Sequence, residues 1–326
     1  MDLEFAKTRV IGVDISLKTT SIGIVDIRGN IVAETQMATL EYESLPAFVN
    51  KLCETIIKLA EDNGGVEKIR SVGVSAPSGN LMHGSIVNAA NFPWQGEIPL
   101  AAMMRDLLGM AVGVANDCHA SGMGEKIYGA AHGLKDFIAI HLGTGLGSCF
   151  FSDGKIQLGA DGYAGEMGHM CMVENGRQCG CGYRGCLEAY VNTNGIIMTA
   201  RELMSQSDKP SLMRSLDHLS PRTIKECCDK GDEMAIEVYR ITGEYLGWGL
   251  SIYASVLNPE AIVFAGGISN AGKWLLGPTR DTYERLVFHN VRGRTKMYMS
   301  MLDDYHRDML GASAVAWDVQ EYSLFK

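Results

Sequence analysis

The chain has 326 residues, 46% of them hydrophobic, and a formal net charge of −9. That length suits one large or two ordinary domains with a full core, and the acidic balance argues against nucleic acid as the main partner, because neutralising phosphates needs clustered lysine and arginine. No apolar run approaches the roughly 20 residues that span a bilayer. The opening MDLEFAKTRV has neither the basic nor the apolar region of a secretory leader. Nine cysteines without a leader predict a cytoplasmic, reducing setting, where thiols serve metals or cores.

RVIGVDISLKTTSIGIVDIRGNIV reads as two strands around a turn, then a second turn at Arg28-Gly29-Asn30 and a third strand. Asp14 stands at the end of the first apolar run. Turns that hold phosphates are commonly glycine-rich, because bare backbone N–H groups then approach the oxygens. Here the turn is Ser16-Leu17-Lys18-Thr19-Thr20, without glycine. SLPAFVNKLCETIIKLAEDNGG has apolar residues at helical spacing and a Gly-Gly stop. IRSVGVSAP is a strand closed by Pro77, and IPLAAMMRDLLGM is a helix. AVGVANDCHA is a strand running into polar residues. DFIAIHLGTGLGSCFFSDGKIQLG is two strands with a tight turn, and Asp153-Gly154 opens the next one. From Gly231 to Gly272 follow a long helix, a strand and a glycine turn. RDMLGASAVAWDVQEYS reads as a final helix. The alternation indicates α/β. The stretches that begin RVIGVDIS and DFIAIHLG share one plan of three strands and two turns, which predicts duplicated halves facing each other across a cleft.

The densest chemistry is GEMGHMCMVENGRQCGCGYRGCLEAY. Cys179, Cys181 and Cys186 lie among glycines, with His169 ahead of them. Three thiols and an imidazole make the closed composition of a structural zinc site, and Cys171 is near enough to compete. An iron–sulfur cluster is less suited, since four cysteines are its usual set. Glu166 and Glu188 bracket the ligands. Acidic residues beside an imidazole held by a metal suit recognition of sugar hydroxyls, although either glutamate alone also reads as a surface charge. Asn116 and Asp117 stand at the end of a strand, where α/β sites gather. Asp117 there is a general base toward a hydroxyl or equally a helix N-cap. His119 is the weaker ligand candidate. HLGTGLGSCF is not a dinucleotide fingerprint, for its glycine spacing differs and a strand follows it. As a glycine hairpin it can set backbone N–H groups and the Thr144 hydroxyl against phosphates, or serve as a plain turn. AIVFAGGISNAG ends a buried strand in Gly266-Gly267, a start that can receive a phosphate or nucleoside.

Together these residues resemble the ROK family of bacterial sugar kinases and regulators. The resemblance runs from Ile11 to Ala316 and is carried by GVDI, APSG, NAANFPW, NDCHASGMGE, LGTGLGS, GYAGEMGH, CGCGYRGCLE and VFAGGI. It implies an α/β fold of the actin-like, hexokinase type, two-lobed with duplicated ribonuclease H-like domains and a structural zinc loop. It implies transfer of the ATP γ-phosphoryl group to a hydroxyl of a hexose or N-acetylhexosamine, usually O6. Carried over by residue, Asp117 resembles the catalytic base, and Asn91, Asn116, Glu166, His169 and Glu188 the sugar ligands. His169, Cys179, Cys181 and Cys186 resemble the zinc set. Gly143, Thr144 and Gly145 resemble the second phosphate loop, and Gly266 and Gly267 the adenosine motif. Asp14 matches the acidic residue that works near Mg2+, with Lys18 and Thr19 beside it on the first loop. The implied cofactors are ATP with Mg2+ and structural Zn2+.

The expected lobes are residues 1–118 with 302–326, and 119–301. A small-molecule sugar is the expected partner, with no membrane, and the chain is expected to form a dimer or tetramer. The DNA-binding members carry a domain ahead of the first loop, and only nine residues precede Val10 here, so no direct nucleic-acid contact is expected. The sequence departs from the family at three places. Ser16-Leu17-Lys18 replaces Gly-Gly-Thr, His119 stands where asparagine is usual, and Cys149 where glycine is. The alternative is therefore a sugar-binding member with weak or no kinase activity, acting as a sensor or regulator.

Overall fold

The computed structural model describes residues 7–89 and 92–319, so Asn91 and the last residues of the expected final helix lie outside the described residues. The chain forms two units. One comprises the chain to Gly133, Leu158–Ala164 and the chain from Met301 onward; the other comprises Leu134–Gln157 and Gly165–Ser300.

In chain order the first unit holds β1 (Arg9–Ile15), β2 (Thr19–Asp26), β3 (Ile31–Ala38), α1 (Leu45–Glu61), β4 (Ile69–Ser75), β5 (Gly79–Asn80), β6 (Ser85–Val87), β7 (Glu97–Ile98), α2 (Leu100–Leu108), β8 (Ala111–Ala115) and α3 (Asp117–Tyr128). The second holds β9 (Phe137–Leu142), β10 (Leu146–Ser152), β11 (Lys155–Ile156), α4 (Glu188–Val191), α5 (Thr193–Gln206), α6 (Pro221–Asp229), α7 (Glu233–Leu257), β12 (Ala261–Ala265), α8 (Lys273–Leu286) and β13 (Lys296–Met299). Helix α9 (Arg307–Asp318) belongs to the first unit.

The first sheet runs β3-β2-β1-β4-β8. Its first three strands are antiparallel neighbours, and β4 and β8 continue parallel to β1. One face is covered by α1, which buries Phe48, Val49, Leu52 and Ile56 against Ile11, Val13, Ile22 and Val74. Each such side chain contributes about 1.5–3 kcal/mol. The other face receives α9. Gly12 and its register partner Gly73 let that helix lie directly on the strands: a Cβ on Gly12 would stand 2.4 Å from the Met309 carbonyl oxygen, and one on Gly73 2.0 Å from that of Ala312.

The second sheet runs β11-β10-β9-β12-β13 and repeats the plan, an antiparallel trio followed by two parallel strands. The two three-strand stretches of the sequence therefore mark the starts of two copies of one topology, as the duplication predicts. Strand β12 is buried at every position, as a strand covered on both faces must be. Asp232 starts α7 by accepting the Met234 and Ala235 amides, and Asn258 ends it in the left-handed conformation.

The division of the chain differs from the expected limit at 118/119. Helix α3 stays with the first unit, because Gly124 and Ala120 pack against Gly311 of α9 at backbone distance; the break comes at Gly133/Leu134. No helix among the described residues is long and apolar enough to cross a membrane.

Candidate functional site

In the first unit, Asp14 is the last residue but one of β1, opposite Ser75 of β4. Burial, then the Asp308 carboxylate, push its pKa up to about 7; Asp117 adds to this and the Ser75 hydroxyl opposes it. Asp308, in the first turn of α9, is a second carboxylate acting on Asp14, and no motif in the sequence points to it. Only its place at the start of a helix that packs on β1 marks it, and the packing is invisible in the sequence.

The glycine-free turn closes with ordinary backbone. Neither Ser16, Leu17 nor Lys18 has a positive φ, and Ser16 donates both its amide (3.1 Å) and its hydroxyl (2.8 Å) to the Thr19 carbonyl. Leu17 is 41% exposed, Lys18 is exposed, and Thr19 opens β2 half-buried. The conformation of this turn thus makes no use of a glycine.

At the end of β8, Asn116 is the N-cap of α3 and accepts the His119 amide at 2.6 Å. Asp117 is the first helical residue, exposed, and accepts the Cys118 amide at 2.9 Å. So the cap role falls to Asn116, and the Asp117 carboxylate faces solvent. His119 is buried, with Nε2 3.2 Å from the Ala164 carbonyl. Burial lowers its basicity and keeps the ring neutral, which is the role of a packed core histidine.

In the second unit, the donor atoms of His169, Cys179, Cys181 and Cys186 all lie within 4.8 Å of one another. His169 Nδ1 is 3.7 Å from Cys179 Sγ, and Cys181 Sγ is 3.7 Å from Cys186 Sγ. A tetrahedral ion bound to sulfur at about 2.3 Å sets sulfurs about 3.8 Å apart, so the donor set has the size and chemistry of a zinc site. Cys171 is not of this group; its thiol points to the Arg184 carbonyl at 3.7 Å. Burial pushes Cys179 up to about 12. Burial acts the same way on Cys181, but hydrogen bonds from the Tyr183 amide and the neighbouring thiols hold it below the usual range. Thiols that share protons in this way lose them to a bound dication.

Glu166 and Glu188 flank the cluster. Glu166 Oε2 lies 3.8 Å from His169 Nε2, the nitrogen turned away from Cys179. Glu188 Oε2 accepts the Leu146 amide at 2.9 Å and Oε1 accepts from Cys179 Sγ at 3.5 Å. The segment Gly143-Thr144-Gly145 joins β9 to β10 as a hairpin, with Thr144 exposed. A Cβ on Gly145 would stand 2.8 Å from Glu188 Oε2, so a side chain there would displace that carboxylate. Gly266 and Gly267 follow the buried strand β12 and open the 3-10 turn that precedes α8. A wide groove of about 980 Å³ at the far end of α5, lined by Lys209, Lys230 and Glu237, holds none of the expected site residues. None of the nine cysteines forms a disulfide.

The ROK family model matches residues 10–319. The glucokinase of Thermotoga maritima is 29% identical over 95% of this chain and 97% of its own length. The glucokinase of Streptomyces coelicolor is 31% identical over 86% of this chain and 89% of its own. Among solved structures, a ROK family glucokinase from Streptomyces griseus in complex with glucose and AMPPNP superposes with a TM-score of 0.74 at 29% identity, covering 95% of this chain and all of that one (100%).

Proposed function

The chain belongs to the ROK family, and on that premise we propose that it moves the γ-phosphoryl group of ATP onto the O6 hydroxyl of a hexose or N-acetylhexosamine. It is a sugar kinase, as its glucokinase relatives indicate. The observation that carries the mechanism is the exposed Asp117 carboxylate at the head of α3, with its helix already capped by Asn116.

Phosphoryl transfer asks mostly for positioning and charge neutralisation. On the first unit, Asp117 is assigned to take the hydroxyl proton as the oxygen attacks phosphorus, with Asn91 and Asn116 as sugar contacts. Lys18 and Thr19 are assigned to phosphate, the ammonium replacing the backbone donors that a glycine loop would offer. On the second unit, Glu166, His169 and Glu188 are assigned to sugar hydroxyls. Gly143, Thr144 and Gly145 are assigned to phosphate oxygens through amides and the Thr144 hydroxyl, and Gly266 and Gly267 to adenosine. Mg2+ bound with the nucleotide supplies positive charge beside the phosphates; Asp14, whose ionisation is resisted by burial and by Asp308, is the carboxylate that such an ion favours. His169, Cys179, Cys181 and Cys186 would hold Zn2+ as a structural ion.

The reading places the protein in the cytoplasm, where ATP is supplied and cysteines stay reduced. A homo-oligomer is the expected state, and Trp248, Ile252 and Val256, exposed one turn apart on α7, support it. The deciding experiment is ADP release from Mg-ATP across a panel of hexoses and N-acetylhexosamines, with Asp117→Asn as control. Turnover on one sugar that vanishes in the variant establishes the kinase and its base. The glycine-free turn favours the second reading, a sugar sensor with weak or no kinase activity; sugar binding without turnover on any sugar would establish that one.

A further inference from the structure

We propose that Asn192 and Thr193 are positioning residues for the nucleotide, and that through them the Cys₃His loop governs how tightly the glycine hairpin holds phosphate. The proposal rests on the reading of Gly143–Gly145 as a phosphate loop. These two residues were not singled out by the sequence, since they carry no chemistry of their own toward a substrate.

The hairpin is held from one side. The Gly143 carbonyl accepts both the amide and the hydroxyl of Thr193, each at 3.0 Å. The Thr144 carbonyl accepts Asn192 Nδ2 at 3.0 Å. In a trans peptide the N–H of the next residue points opposite to the carbonyl. Fixing the Gly143 and Thr144 carbonyls therefore fixes the Thr144 and Gly145 amides in the other direction, away from the clamp. A preset row of amides is what an anion-binding backbone needs.

The clamp is in turn built onto the cysteine loop. Glu188 begins α4 directly after the Cys186-Leu187 pair, and its carboxylate holds the Leu146 amide at 2.9 Å. The Leu187 amide donates to the Met170 carbonyl at 2.9 Å. Arg177, inside the loop, donates to the Ala189 carbonyl at 3.5 Å and the Gly195 carbonyl at 3.0 Å, and lies over the Tyr190 ring. Asn192 serves both ends: its Oδ1 accepts the Gly195 amide at 2.8 Å and starts α5, while its Nδ2 holds the hairpin. A shift of the loop is thus carried by short rigid steps to the two carbonyls that aim the amides.

Asn192→Asp isolates the contact. The aspartate keeps the capping oxygen, which serves a helix start as well as asparagine does, but sets a carboxylate oxygen against the Thr144 carbonyl in place of a donor. Expected is a rise of about tenfold in KM for ATP, the worth of one hydrogen bond turned unfavourable, with KM for the sugar within twofold, zinc content unchanged and the melting temperature lower by only a few degrees. Thr193→Val should raise KM for ATP about threefold and Thr193→Ser should restore it. ADP binding is then measured by calorimetry on the zinc-loaded protein with and without Arg177→Ala, which cuts the loop's contacts to the Ala189 and Gly195 carbonyls and spares the zinc donors, in the wild-type and Asn192→Asp backgrounds. Arg177→Ala should lower affinity severalfold in the wild-type background and less beside Asn192→Asp. An unchanged KM for ATP in both Asn192→Asp and Thr193→Val, in a wild type that turns over, overturns the positioning role. Equal losses in the two backgrounds overturn the coupling to the loop. A wild type that binds no ADP overturns the phosphate-loop reading itself.

Discussion

His169 turns Nδ1 toward Cys179 Sγ at 3.7 Å and leaves Nε2 facing Glu166 Oε2 at 3.8 Å. One ring is thereby shared between a soft donor set and a carboxylate, the arrangement in which an outer acid orients a metal-bound imidazole. The expected metal is zinc, one per chain, measured by elemental analysis of the purified protein. Cys179→Ser or Cys186→Ser should lose it and unfold at a much lower temperature, because a structural zinc supplies on the order of 10 kcal/mol of folding free energy. Cys171→Ser, outside the donor group, should keep both metal and melting temperature. Metal loss in the Cys171 variant with retention in the other two would reverse the ligand assignment.

Asp117→Asn separates chemistry from binding. The residue is exposed and accepts the Cys118 amide, while the helix cap is Asn116, so its replacement leaves the cap in place. Losing a general base costs about 10²–10⁴ in rate. The expected outcome is a kcat reduced by that range, sugar affinity by calorimetry within a few-fold, and a melting temperature close to wild type. A proportional loss of sugar affinity would assign Asp117 to binding rather than to proton transfer.

Asp14 sets a pH dependence. Its folded value of about 7 lies above the ordinary 3.8 because of burial and the Asp308 charge. The folded state therefore holds the proton more tightly than the unfolded chain. The stability linked to this proton is fully present below about pH 4 and is lost as pH rises through about 7, a change of roughly a few kcal/mol. In magnesium-free buffer, Asp14→Asn should remove that decline, so that the variant gains on the wild type between pH 5 and 8. Parallel pH profiles of melting temperature for the two proteins would remove Asp14 as the source.

Periodicity and turn chemistry carried the long elements. The apolar spacing of Phe48, Leu52 and Ile56 shows α1, and the buried run Ala261–Ala265 shows β12, because each buries a face that the pattern must display. The strands of two or three residues, β5 to β7, are too short to display a period, and α4 spans a single turn. The cysteine cluster was legible because its ligands are close in the chain and glycines allow the loop. Asp308 was not, since its neighbour Asp14 is separated from it by almost the whole sequence, and the sequence shows no distance between them. Asn192 and Thr193 act through backbone carbonyls, which leave no trace in residue type.

The phosphate role proposed for the Ser16-Leu17-Lys18 turn can be tested at single residues. All three residues sit at ordinary negative φ, so a glycine at Leu17 relieves no strain and adds freedom only to the unfolded chain. Leu17→Gly should thus destabilise the protein by about 0.5–1 kcal/mol, with little loss of packing because Leu17 is 41% exposed. If bulk at this point obstructs phosphate, the same variant lowers KM for ATP. Lys18→Ala acts in the other direction. With no flexible glycine amides in the turn, its ammonium is the charge assigned to phosphate, and removing it should raise KM for ATP by about tenfold while KM for the sugar holds. Lys18→Arg should retain most of the affinity, since a charge and not a backbone shape is what the position supplies. Steady-state kinetics at saturating sugar read all three variants together. An ATP KM indifferent to Lys18 would leave the second hairpin alone to hold the phosphates.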